Sequence, residues 1–341
     1  MAHSWFDSWA LTLVVFTPLV GAAIVMLLPR ESEATAKAVA LLTTLVTLGW
    51  TVGVLSGFDY DNSKKLQYTV DKSWIDVINS RYHLGVDGIS LPLLALSAFI
   101  TVLCVIYSWN HFPEPHNPKA FLALMLILEV GMNGTFLAQD LILFFIFFEV
   151  VLLPMFFMIG VWGGPNRIYA SIKFFLFTLF GSALMLISFL ALYFKVDVNP
   201  LLPGAQHSFD MVLLTRAGGA GLAHATATLI FAGMFLGFAI KVPMFPFHTW
   251  LPDAHTEAPT VGSVLLAAFS SVAHMGFVML AIATLTTAGV NAAIFGMVAH
   301  GLITGMLFFL AGSVQHAYHT REMSRLGGLL TQAPKMGWIL G

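Results

Sequence analysis

The sequence is poor in charge, nearly without cysteine and without a basic excess. Only 9% of its 341 residues are charged, 15 Lys+Arg against 17 Asp+Glu, where soluble domains carry roughly 25%. So few charges cannot cover a water-facing surface, which excludes a soluble enzyme. The near-neutral balance excludes a nucleic-acid binder, and the apolar bulk excludes a disordered chain. The single cysteine, Cys104, lies inside an apolar run. One cysteine excludes a disulfide framework and a Cys-ligated zinc or iron–sulfur site. The first ten residues, MAHSWFDSWA, hold no Lys or Arg. With the long apolar run behind them they read as the start of a membrane helix, not as a cleaved signal. HExxH, a GxGxxG at a strand–helix junction, a Walker sequence and a nucleophile elbow are all missing.

What is present is apolar. Hydrophobic residues make up 58%, phenylalanine alone counts 30, and the mean hydropathy is +0.86. A membrane helix needs about 20 mostly apolar residues. Such segments run over 9–28, 38–56, 89–107, 119–138, 141–161, 169–194, 224–247, 260–285 and 291–314. None alternates as a barrel strand does. The expectation is an all-α integral membrane protein, a polytopic bundle of about nine transmembrane helices. Three polar connectors are long, at 57–88, 195–223 and 248–260, and the first is expected to form an extramembrane hairpin or amphipathic segment. Lys and Arg counts in the short loops favour an outside N-terminus by a narrow margin.

Four charges fall inside apolar segments: Glu129, Glu149, Lys173 and Lys241. Each costs roughly 2.5–3.5 kcal/mol at a helix centre on insertion scales. They are tolerable where they face each other or a water-filled cavity. Glu149 sits in FFIFFEVVLLPMFF, and Pro154 five residues on frees the carbonyl of Val150. It reads as a proton carrier or as half of a structural ion pair. Lys241, in GFAIKVPMFPFHTW, precedes Pro243 and Pro246, which free the carbonyls of Ala239 and Val242. A lysine at a broken helix is a transporter pattern; the rival is a lysine snorkelling at a helix end. Lys173, near a helix start, has the same two readings, and Glu129 is a functional or a structurally paired acid. His274 and His300 lie among small and polar residues, in SSVAHMG and MVAHGLITG, and suit a proton relay or a satisfied core. His224 has less support.

These residues carry a family likeness. YHLGVDGISLPL (82–93), FFEVVLLPMFFMIGVWG (147–163), YASIKFFLFTLFGSALML (169–186), AIKVPMFPFHTWLPDAHTEAPTVGSVLLA (239–267), SSVAHMGFVML (270–280), VAHGLITGMLFFLAG (298–312) and HTREMSRLGGL (319–329) run in order. The chain resembles the antiporter-like subunit M (chain 4) family of proton-translocating NADH:quinone oxidoreductase, respiratory complex I. The resemblance implies an inverted-repeat architecture with a broken helix in each repeat. The N-terminal helices and loop would take 1–118, the first repeat 119–267 and a remnant of the second 268–341. It implies a proton path of Glu149, Lys173 as its paired lysine, Lys241 as the central lysine, and His274 and His300 as relays. It implies no cofactor and no metal in this subunit, neighbouring membrane subunits as partners, and a bacterial inner membrane or, failing that, an organellar one.

The likeness breaks at one internal place. In the family, GSVLLA continues through a lysine-bearing helix, a further helix and a basic loop before SSVAHMG. Here GSVLLA (262–267) runs almost directly into FSSVAHMG (269–276). Several tens of residues are skipped, and the second repeat is expected to be incomplete. Three other functions compete: a Mrp-type cation/proton antiporter subunit, a non-pumping scaffold subunit, and a bis-His haem protein.

Overall fold

The structure, a computed structural model, describes residues 5–219, 221–269 and 286–318. Eight spans among them are long and apolar enough to cross a membrane. They are α1 (Trp5–Leu27), α2 (Glu33–Gly57), α3 (Ser90–Ser108), α4 (Pro118–Leu137), the α5–α6 pair (Leu141–Val150 and Leu152–Trp162), α7 (Arg167–Lys195), α9 (His224–Lys241) and α12 (Thr287–Tyr318). Between α9 and α12 lie the short α10 (Trp250–Glu257) and α11 (Thr260–Phe269). Eight of the nine expected segments thus coincide with described helices. The expected 260–285 segment begins as α11, and the rest of it lies outside the described residues.

The helices are inside out by soluble standards. On α7 exposed residues recur every three or four positions, at Ile168, Ile172, Leu176, Leu179, Ala183, Ile187, Leu190 and Phe194. The opposite face buries Ser171, Thr178, Gly181, Ser182 and Ser188. Small and hydroxylic residues face protein because lipid already solvates the large apolar ones. The contact with α9 shows why. A Cβ placed on Gly237 would lie 2.7 Å from the carbonyl oxygen of Gly181, so the two backbones touch at a pair of glycines.

The 57–88 connector is the expected hairpin. β1 (Gln67–Ile75) pairs antiparallel with β2 (Ser80–Val86), with Val70 opposite Leu84 and Asp71 opposite His83. Asn79 turns the chain in the left-handed region, φ 47°, which Asn tolerates through its own hydrogen bonding. The 195–223 connector holds the short α8 (Met211–Ala217). Both connectors are stitched to the α4–α5 corner: Gln139 N–H donates to the His83 carbonyl (2.8 Å), Leu141 N–H to that of Phe209 (2.9 Å) and Met211 N–H to that of Gln139 (2.8 Å). Asp140 caps α5 through Ile142 and Leu143 and also accepts from Ser80 Oγ and Arg81 N–H, both at 2.9 Å. The start of α5 is therefore fixed to the extramembrane hairpin.

Candidate functional site

Two helices break where the prolines predict. α5 stops at Val150 and α6 resumes at Leu152, with Pro154 in its first turn. Glu149 occupies the last turn of α5, beside the interruption. α9 stops at Lys241, and the chain runs through Val242–Thr249 before α10. The carbonyl of Ala239, freed by Pro243, accepts instead from Met244 N–H (2.8 Å). The neighbouring carbonyl of Ile240 accepts from the buried indole of Trp250 (2.9 Å). The break is thus a satisfied structure held by protein groups.

The two breaks bring Glu149 and Lys241 together. Lys241 Nζ donates to Glu149 Oε1 at 2.9 Å and to the carbonyl of Phe148 at 3.3 Å, and it lies 3.8 Å from the centre of the Phe148 ring. The side chains are 12% and 21% exposed. A charge pair this enclosed is strong in interaction and severe in cost if one partner goes.

Lys173 is not the partner of Glu149. It donates to Asp253 Oδ2 on α10 at 2.7 Å, with Tyr169 one turn below. The resemblance placed both lysines around one carboxylate. The structure divides them, because the turn at 242–249 carries Asp253 back to α7 while Lys241 remains against α5. The broken segment therefore holds one member of each pair: a cation before the break and an anion after it.

Asp253 and Glu257 were missed by sequence reasoning. Glu257 accepts from Asn166 N–H (2.9 Å), and its carbonyl accepts from Gly164 N–H (2.8 Å), which ties the end of α10 to the α6–α7 loop. The signal was their place in WLPDAHTEAPT, directly behind a double-proline break. His300 is buried on α12 where Gly301 meets Leu96 of α3. Its backbone carbonyl accepts from Thr304 Oγ1 (2.7 Å). His274 lies outside the described residues. Glu129 read from the sequence as a functional or a structurally paired acid. It is fully buried on α4, and neither carboxyl oxygen has a hydrogen-bond partner among the described residues.

Outside the membrane, His83 Nδ1 and Asp210 Oδ2 are 2.5 Å apart. Burial alone would lower the imidazole, but the Asp210 carboxylate outweighs it and holds His83 above its ordinary value. Burial likewise pushes Asp210 up, yet His83 and the Leu213 N–H hold it below the usual carboxylate range. This clasp joins β2 to the N-cap of α8.

Comparison with known proteins follows the same geometry. The family model described as NADH:quinone oxidoreductase/Mrp antiporter, TM, matches residues 138–269 and 266–341. The model described as NADH-ubiquinone oxidoreductase chain 4, amino terminus, matches 13–133. NADH-quinone oxidoreductase subunit M of Rhodobacter capsulatus is 36% identical over 96% of this chain and 75% of its own length. The chain belongs to the subunit M family of NADH-quinone oxidoreductase. The chain-4 match and these relatives decide for that family over the Mrp antiporters. Subunit M of Rickettsia felis is 34% identical over 95% of this chain and 75% of its own. That alignment spans 384 positions, while 95% of this chain is about 324 residues, so about 60 of its positions have no counterpart here. The two pieces of the membrane-domain match meet at 266–269, where the family pattern skips. Respiratory complex I from Thermus thermophilus contains a chain of the same fold, with TM-score 0.80 and 25% identity, covering 96% of this chain and 76% of that one.

Proposed function

We propose that this chain is a non-redox, proton-moving subunit of the membrane part of an NADH-quinone oxidoreductase, seated in a bacterial inner membrane against other membrane subunits of that complex. It needs no cofactor of its own: proton movement by paired charges requires only groups that hold and release protons. The observation that carries the reading is the Glu149–Lys241 pair, enclosed in the membrane at the meeting point of two interrupted helices.

In contact, the carboxylate stabilises the ammonium. Drawn apart, Lys241 is a buried cation without a counter-charge, which is unfavourable enough to expel its proton. The ammonium N–H bond breaks, and the proton leaves to water or to a neighbouring acceptor; return of Glu149 favours its recapture. Because Lys241 and Asp253 flank one break, the Glu149–Lys241 and Lys173–Asp253 contacts respond to the same motion. Lys173 and Asp253 are more open, at 20% and 38% exposed, and serve as the water-facing end of the path. His274 and His300 are its onward relays.

The test is Glu149→Gln in the assembled oxidoreductase. The expected result is fewer protons moved per electron with assembly and NADH oxidation retained. An unchanged proton-to-electron ratio refutes the role.

A further inference from the structure

Glu129 stands apart from both pairs. It lies in mid-α4, 0% exposed, with both carboxyl oxygens lacking a hydrogen-bond partner among the described residues. Among the described residues no ion pair or hydrogen bond joins a cation to it. Helices α1, α3 and α6, which pack around α4 with α2 and α5, contain no Lys, Arg or His, and neither does α5. On α2, Lys37 pairs with Glu33 at 2.6 Å. Lys119 is ten residues earlier on α4, about 15 Å along the axis at 1.5 Å per residue, and donates to the carbonyls of Met26 and Leu28. Lys241 and Lys173 are held by Glu149 and Asp253.

The direction of Glu129 follows from its neighbours. Gly131 faces α5: a Cβ there would lie 3.0 Å from the carbonyl oxygen of Phe147 and from Val151 N. Two residues turn a helix by about 200°, so Glu129 points away from the Glu149 pair. Asn133, one turn on and on the Glu129 face, accepts from Ser97 Oγ of α3 at 2.9 Å and donates to the Val14 carbonyl at 3.3 Å. The side of α3 that bears Ser97 buries Ser97, Thr101, Cys104 and Ser108, spaced four, three and four residues apart. Cys104 on that face is fully buried. The Ser108 hydroxyl is likewise buried without a hydrogen-bond partner among the described residues.

We propose that Glu129 is a second proton-binding site of this chain, a neutral carboxylic acid seated in the α3–α4 seam that exchanges its proton along the Ser97–Thr101–Cys104–Ser108 face of α3. A carboxylate enclosed without a counter-charge or donor is a high-energy species, while the neutral acid fits. Ser and Thr hydroxyls both donate and accept, so a column of them can pass a proton that leaves the acid O–H as the carboxylate forms. A buried acid with no bonds contributes nothing to holding helices together. Intramembrane ionisable groups without such a structural role belong to ion or proton pathways.

The proposal rests on the reading of the chain as a proton-moving subunit, and one experiment separates the two. Sealed vesicles holding the assembled oxidoreductase are driven with NADH and followed by infrared difference spectroscopy and by protons moved per electron, for wild type, Glu129→Gln and Glu149→Gln. The expected result is a protonated-acid carbonyl band in the wild type that shifts in deuterium oxide and is lost in E129Q, with a lower proton-to-electron ratio. Where E129Q does not assemble, Glu129→Asp is used, and a displaced band is expected. A wild-type spectrum without that band, or one unchanged in the variant, overturns the proposal. A normal ratio in E129Q beside a lowered one in E149Q overturns it while leaving the function intact. Normal ratios in both place the failure in the function itself.

Discussion

Glu129 and Glu149 are the same residue on adjacent helices, and the fold treats them in opposite ways. Glu149 sits at a helix interruption, against a lysine at a second interruption, with the pair 12% and 21% exposed. Glu129 sits in an unbroken helix, fully enclosed and without a hydrogen-bond partner among the described residues. The difference lies in backbone, not side chain. Prolines free carbonyls and bend the chain so that Lys241 can reach Glu149 and Phe148. No proline follows Glu129 on α4, and none of the described cations on the neighbouring helices bonds to it. The helix break brings a lysine to one acid, and the unbroken helix brings none of the described cations to the other.

The largest effect should come from removing one half of the pair. Lys241→Met leaves the Glu149 carboxylate enclosed and uncompensated and should destabilise the chain by about 3–5 kcal/mol, with the Glu149→Gln/Lys241→Met double variant recovering most of it. Thermal unfolding in detergent, run as a double-mutant cycle, measures the coupling. Glu129→Met should behave in the opposite sense. It deletes an unpartnered polar group and should be neutral or stabilising within about 1 kcal/mol. A loss as large as that of K241M would mean that Glu129 has a cation after all.

A smaller effect is expected between the two glutamates. Gly131 lets α4 press on the turn that follows Glu149, where a Cβ would lie 2.7 Å from Val151 Cγ2 and 3.0 Å from backbone. Gly131→Leu should cost about 1–3 kcal/mol by overpacking and should lower proton movement by displacing Glu149 from Lys241. Unaltered stability would show that α4 and α5 are free to separate.

Much of this arrangement was legible in the sequence. Apolar runs located the spans, Pro154 and Pro243/Pro246 located both breaks, and the polar 57–88 connector located the hairpin. The partner of Lys173 was not legible. Residues 173 and 253 are 80 positions apart, and which carboxylate meets the lysine depends on the path of the 242–249 turn, which no periodicity encodes. The solitude of Glu129 was hidden for a related reason. A mid-helix acid and two lysines elsewhere suggest pairing by number, while pairing is decided by which helix faces meet. The Asp140 cap and the His83–Asp210 clasp also escaped notice, because they join β2, the α4–α5 corner and α8 across connectors that carry no regular pattern.

The His83–Asp210 clasp should give the mildest effect, and it tests whether the start of α5 is steadied from outside the membrane. The folded-state value of His83 is raised above its ordinary one. Its contribution is therefore complete below the ordinary histidine value and is lost as pH rises through the raised value. Asp210 is lowered, so its contribution is present above the ordinary aspartate value and is lost only as pH falls through the lowered one. The clasp is fully formed in the mildly acidic range and weakens toward alkaline pH. On the order of 1 kcal/mol, the net worth of a typical hydrogen bond, should disappear as pH rises past the His83 titration. His83→Gln should flatten that slope, read from unfolding midpoints across pH. A slope that survives in H83Q would assign the pH dependence to another group and release α5 from any dependence on the clasp.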